Sequence, residues 1–188
     1  MKKLLLALLI SVGLPACETC GPFKQEYYDI VGLQALLMRQ TAAAVQVLTT
    51  GQRVSAADLQ LQLRLDTQLY SAQPAPTGGF AAMACDYPSP SYTESIDSLT
   101  VTSRYDYDAQ HPAGSSLNDL VQLEDEYGQQ ISLREWLVVP RQIGSFPNMV
   151  FRFRQAPAGS LVQQFRVRQH QTNGEVYTAE TVAIEIQP

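Results

Sequence analysis

The chain has no excess of basic residues: 13 Lys and Arg stand against 18 Asp and Glu in 188 residues, a formal net charge of −5. A surface that grips nucleic acid or an anionic bilayer draws on clustered Lys and Arg, so the overall balance argues against nucleic acid as a partner. Signatures of nucleophilic hydrolysis are missing as well. There is no Gly-x-Ser-x-Gly elbow, and only two histidines, His111 and His170, are available as a general base. His111 precedes a proline in a loop and His170 lies near the Asn173-Gly174 turn. Both are therefore expected at the surface, with no nucleophile or orienting carboxylate at a recognisable spacing. No internal repeat or low-complexity tract is present.

Cysteine is scarce and odd in number: Cys17, Cys20 and Cys85. A zinc site from Cys20, Cys85, His111 and His170 would lack any short-spaced ligand pair. Cys17-Glu18-Thr19-Cys20 has the spacing of a redox dithiol, but it runs into Gly21-Pro22 instead of opening a helix after a strand. Asp106-Tyr107-Asp108 starts like a calcium loop, yet His111 and Leu117 occupy the sixth and twelfth places, where such a loop has Gly and Glu. Glu124-Asp125-Glu126 reads as a solvated acidic turn. No cofactor and no metal are expected.

Long hydrophobic runs are absent too. Leu4–Leu14, broken by Ser11 and Gly13 and preceded by Lys2 and Lys3, is well short of the roughly 20 apolar residues that a helix needs to cross a bilayer. It has the character of a signal-peptide core. Leu14-Pro15-Ala16-Cys17, which follows, resembles the lipobox of bacterial lipoproteins, with Pro15 departing from the commonest small residues. The resemblance implies that residues 1–16 are removed and that Cys17 carries lipid. It places residues 17–26 as a tether and 27–188 as one domain, lipid-anchored in the cell envelope at the outer membrane. Loss of Lys2 and Lys3 leaves the mature chain more acidic still. With Cys17 lipidated, Cys20 and Cys85 remain as a pair, expected to form a disulfide in an oxidising compartment. Closing a loop of that length contributes about 4 kcal/mol in the chain-entropy description.

What the sequence does have is alternation. Leu59, Leu61, Leu63 and Leu65 interleave with Gln60, Gln62, Arg64 and Asp66, the period of a strand with one buried face. Tyr27–Leu33 predicts a first strand, and Gln34–Leu48, although rich in Leu and Ala, is read as strand because of Val45 and Val47. Residues 71–92 carry Pro74, Pro76, Gly78, Gly79, Pro88 and Pro90 and predict a long loop. Ile96–Tyr107 resumes β character. Ser115 or Ser116 is expected to cap a short helical turn through Leu120, and Ser132-Leu133-Arg134-Glu135 a capping-box helix around Trp136. Phe151/Phe153, Phe165/Val167 and Val182/Ile184/Ile186 predict three further strands. Pro157-Ala158-Gly159-Ser160 joins the first two of these, and Asn173-Gly174 forms a hairpin turn. Many short strands with little helix point to an all-β fold, an immunoglobulin-like or related antiparallel β-sandwich.

Taken whole, the chain is similar to the small exported lipoproteins of Bacteroidetes-type bacteria, a family with no assigned activity. The likeness rests on Leu14-Pro15-Ala16-Cys17, Cys20, the Tyr28-Asp29-Ile30 strand and the Ile96–Leu120 strand-loop pattern. It implies an envelope location and a β-sandwich, and supplies no catalytic residue.

The candidate binding feature is an arginine ladder. If Phe153 lies opposite Phe165, then Arg152 lies opposite Arg166, and Arg152, Arg154, Arg166 and Arg168 form one basic face. Guanidinium groups bind carboxylate and phosphate oxygens bidentately, so the face is suited to acidic glycan; the plain alternative is a solvated sheet face. Tyr27, Tyr28, Tyr87, Tyr92, Tyr105 and Tyr107 are a second candidate, as a sugar-stacking platform. These patterns suit a non-enzymatic binding or structural module whose partner is a glycan or another envelope protein. The competing class is a glycan hydrolase with dispersed carboxylates.

Overall fold

In a computed structural model, residues 26–71, 89–124, 128–138, 141–142 and 148–188 are described. The strands are β1 (Glu26–Gln40), β2 (Val45–Val47), β3 (Arg53–Ser55), β4 (Leu59–Ser71), β5 (Ser91–Tyr92), β6 (Ser95–Ser103), β7 (Val121–Glu124), β8 (Gln130–Ser132), β9 (Arg141–Gln142), β10 (Asn148–Phe153), β11 (Val162–Gln163), β12 (Phe165–Gln171), β13 (Val176–Glu180) and β14 (Ile184–Gln187). Helix among the described residues is confined to a 3-10 turn at Ala56–Asp58 and one α-helical turn, α1 (Leu133–Trp136). The chain divides into two compact units, Tyr28–Gln68 with Tyr92–Pro188, and Met1–Tyr27 with Leu69–Ser91. In the latter the Tyr27 and Tyr70 rings sit 5.7 Å apart. Cys17, Cys20, Cys85 and the greater part of the Pro-rich loop lie outside the described residues.

The first unit is an all-β sandwich. Its larger sheet runs β2-β1-β4-β10-β7-β8, a second runs β13-β12-β6-β9, and a small third runs β11-β14-β3. β1–β2, β4–β10, β10–β7, β7–β8, β11–β14, β12–β13, β12–β6 and β6–β9 pair antiparallel, whereas β14 pairs with β3 in parallel, Ile186 opposite Val54. The expected antiparallel sandwich therefore includes a parallel pair.

Period-two alternation decides what is inside. Leu59, Leu61, Leu63 and Leu65 of β4 are all buried, as are Met149 and Phe151 of β10, Leu99 and Val101 of β6, and Phe165 and Val167 of β12. They join Val54, Ile184 and Ile186 in a single core. Burial of each Leu, Val or Phe side chain contributes roughly 1.5–3 kcal/mol. Phe153 stacks on Phe165 at 4.6 Å between ring centres, so the larger sheet and the β12 sheet meet there.

Three local expectations need amending. β1 does not end at Leu33 but continues to Gln40, and a turn at 41–44 returns the chain into β2, so the strand expected over 34–48 is the end of β1 and its hairpin partner. No helix forms through Ser115–Leu120. Instead Asn118 spends its amide on β6, accepting from Val101 N at 2.9 Å and donating to Leu99 O at 2.7 Å, in competition with helix formation. The Asn173-Gly174 turn, with Gly174 at φ +90°, leads into β13, a strand absent from the sequence reading, while β14 leaves for the third sheet. The Ser132 cap forms as expected, its hydroxyl accepting from Glu135 N at 3.2 Å.

Candidate functional site

The structure separates the arginine ladder into two halves. Phe153 and Phe165 do meet, but across the core from opposite sheets, and not as neighbours in one sheet. Arg152 pairs with Gln122 of β7, and Arg166 pairs with Thr102 of β6 and Glu180 of β13. Side chains flanking the stacked rings therefore leave the sandwich on opposite outer faces. The expected four-arginine face does not exist.

On the larger sheet, Arg152 is committed. Its Nε donates to Glu124 Oε2 at 2.9 Å and its Nη2 to Gln40 Oε1 at 2.6 Å, and Gln40 Oε1 also accepts from Gln60. Its side chain is only 24% exposed. Arg154 lies past the end of β10, exposed, with its backbone N–H donated to Leu120 O at 2.8 Å.

The β12 face differs. Arg166, Arg168 and His170 alternate outward along the strand, flanked by Thr102, Thr100 and Ser98 on β6 and by Glu180, Thr178 and Val176 on β13. Arg166 is 63% exposed and pairs with Glu180 at 2.5 Å. Arg168 has no ion pair among the described residues. At the Arg166 end a shallow depression of about 430 Å³ brings in Arg104, whose Nη1 donates weakly to Gln164 Oε1 at 3.4 Å. At this end of the row Arg104, Arg166 and Arg168 stand against Glu180 among the described residues, a local positive excess on an acidic chain. Flanking Thr and Ser hydroxyls supply further donors for an oxyanion.

A second cluster corrects the expectation of a surface histidine. His111 is buried, with Nδ1 2.7 Å from Asp108 Oδ1 and Nε2 3.1 Å from Asp119 Oδ2. Asp108 Oδ1 also accepts from the Gln110 and His111 backbone N–H groups, and Asp108 Oδ2 from Gln155 Nε2. An orienting carboxylate is thus present, three residues before the histidine. It was hidden because an Asp next to a loop is equally a turn residue. A carboxylate at each ring nitrogen favours the protonated ring, which can donate in both directions. Asp108, above all, and then Asp119 hold the His111 pKa above its ordinary 6.5 against the opposing effect of burial. The hydrogen bonds from His111 and its loop's N–H groups lower that of Asp108 despite desolvation.

The cluster has no nucleophile among its hydrogen-bonding partners and reads as a loop clamp. No group of three or more His, Cys, Asp or Glu gathers as a metal site among the described residues. Because the folded His111 pKa is raised, its contribution to stability is complete below 6.5 and fades as pH rises through the higher folded value. Proton NMR titration of the His111 ring should give a midpoint above 6.5, and Asp119→Asn should lower it. A parent midpoint at or below 6.5 would contradict the clamp.

Tyr107 departs from the tyrosine platform, since it is buried in the core with its hydroxyl donating to Gln155 O at 2.6 Å. Tyr28 and Tyr92 face each other at 5.3 Å, and Tyr87 lies outside the described residues.

Among the described residues no helix is long and apolar enough to cross a membrane. Compared with known proteins, the chain matches no family model, no curated sequence and no solved structure.

Proposed function

We propose that this protein is a lipid-anchored envelope lipoprotein, tethered through Cys17, whose β-sandwich is a non-enzymatic binding module for acidic glycan. The tether rests on Leu14-Pro15-Ala16-Cys17 behind a short apolar run. Two acyl signals on one cysteine hold a domain at a membrane far more firmly than one. The binding reading rests on a single observation, the outward row of Arg166 and Arg168 between Thr-bearing strands.

The hydrolase reading has less support. Glu124, Glu180 and Glu185 are each spent on an arginine, Asp108 and Asp119 on His111, and Asp66 on Gln34. A glycosidase pair needs two carboxyl groups facing a shared gap of about 5–9.5 Å; these six are held by other side chains, which leaves Asp29, Glu94 and Glu175, near the Tyr177 hydroxyl, as the group such a reading would have to use.

Arg166→Gln together with Arg168→Gln should weaken binding of an oligogalacturonate by about tenfold and flatten its salt dependence. Stability should change by no more than about 1 kcal/mol, because exposed ion pairs contribute little. Calorimetric titration at two salt concentrations, with a denaturant melt, reads both. Unchanged affinity, or no binding by the parent protein, returns the row to a solvated sheet face.

A further inference from the structure

We propose a second, independent binding site on the outer face of the larger sheet, for an uncharged hydroxyl-rich ligand, a neutral oligosaccharide. It goes beyond the acidic-glycan reading and does not depend on it.

Shape comes first. Two adjoining depressions of about 270 and 500 Å³ lie on this face, and both are lined by Gln62. Met38, Gln60 and Val150 line one, and Leu36, Arg64 and Asn148 the other. Register places these residues together: Val150 lies opposite Gln62, and Asn148 opposite Arg64, on β10 and β4. Two hollows that share Gln62 as a lining residue suit a chain of rings better than a single small molecule.

The floor is also built in advance. Gln60 is only 6% exposed although it points away from the core, because the Gln60–Gln40–Arg152–Glu124 hydrogen-bond chain covers it. Side chains already fixed lose little entropy when a ligand arrives. Above that floor, the Gln62 and Asn148 amides make no side-chain hydrogen bond among the described residues. A carboxamide both donates and accepts, as does a sugar hydroxyl. Leu36, Met38 and Val150 set apolar surface between them for the C–H faces of a ring.

Charge then selects the class. Arg64, Asp66 and Glu124 are the charged residues of the lining, and Glu124 is neutralised from outside it by Arg152, so the hollows have no positive excess, unlike the β12 row. An anion here would lie beside two carboxylates; an uncharged ligand meets no such penalty.

The test uses the full-length protein in detergent micelles, titrated by calorimetry and by amide NMR with cellohexaose, maltohexaose, mannohexaose and, as the acidic probe, hexagalacturonate. At least one neutral hexasaccharide is expected to bind with a Kd below about 1 mM, a weak affinity fitting a few hydrogen bonds on an open face. High salt should leave that affinity unchanged. Gln62→Ala with Asn148→Ala should weaken it about tenfold, since each lost hydrogen bond is a modest term. Val150→Lys should abolish it by filling the groove with a charge, while Arg166→Gln with Arg168→Gln should not affect it. Three results overturn the proposal: no neutral probe bound at about 10 mM, affinity indifferent to Gln62 and Asn148, or affinity that falls with salt. Hexagalacturonate bound through Arg166 and Arg168, with no neutral probe bound, would remove this site and leave the acidic-glycan reading intact.

Discussion

Phe165→Ala is expected to lose about 3–5 kcal/mol of stability, the range for truncating a fully buried aromatic. Phe165 is completely buried and stacks on Phe153 at 4.6 Å, while the Tyr107 ring centre lies 6.5 Å away, so its ring joins β12 to the larger sheet. Removing it leaves a cavity where two sheets meet, and neither can collapse far because each is held by its own ladder. Domains of this size are stable by roughly 5–15 kcal/mol, so the variant should stand near its unfolding threshold. Its neighbour Arg166 points the other way, and Arg166→Gln should move stability by about 1 kcal/mol or less. Urea denaturation of both variants reads the contrast. A loss below about 1 kcal/mol for Phe165→Ala would contradict the sheet-to-sheet contact.

The second large effect has the opposite sign. Gln163, Gln169 and Gln171 are all buried, but they are not equivalent. Gln163 is satisfied: its Nε2 donates to Ser160 O at 2.6 Å and Asp106 O at 3.2 Å, and its Oε1 accepts from Ser103 Oγ at 2.5 Å. Gln169 and Gln171 point inward from β12, and neither amide has a hydrogen-bond partner among the described residues. A buried amide without partners carries its desolvation penalty uncompensated, and replacing it with an apolar side chain of similar shape removes that penalty. Gln169→Met should therefore raise stability by about 1–3 kcal/mol. Gln163→Met should lower it by a similar amount, since it removes the donor to Ser160 O and the acceptor of the Ser103 hydroxyl. Thermal and urea midpoints for the pair test this directly. A loss on Gln169→Met would mean that ordered water satisfies the amide.

How much of this was legible in the sequence varied with the kind of information each residue carries. Leu59 to Leu65 announced β4 because period two is a local property, and the same holds for the inward Phe and Val of β10 and β12. Alternation tells which residues share a face; it does not tell which strand lies alongside. Phe153 and Phe165 were expected to be cross-strand neighbours and are instead cross-core neighbours, so the four arginines fall on two faces. β1 was harder to read because Leu36, Leu37 and Met38 favour helix in isolation, and pairing with β2 overrides that preference. The His111 clamp and the Asn118 tie to β6 were hidden for a third reason. Each joins a loop side chain to a partner whose position depends on the finished fold. Gln60, Gln62 and Arg64 were legible as the polar face of β4, but their neighbours Asn148 and Val150 come from β10, far along the chain.

The proposed anchor at Cys17 would fix where this protein works, and one measurement addresses it most directly. Cells making the parent chain or Cys17→Ser are grown with a radiolabelled fatty acid, and the recovered protein is followed by fluorography and mass spectrometry. The expected result is label on the parent, a mature chain that begins at Cys17, and an unlabelled, unprocessed precursor for Cys17→Ser. Label retained by Cys17→Ser, or a parent chain that begins at any other residue, would contradict the lipid tether and the envelope location that rests on it.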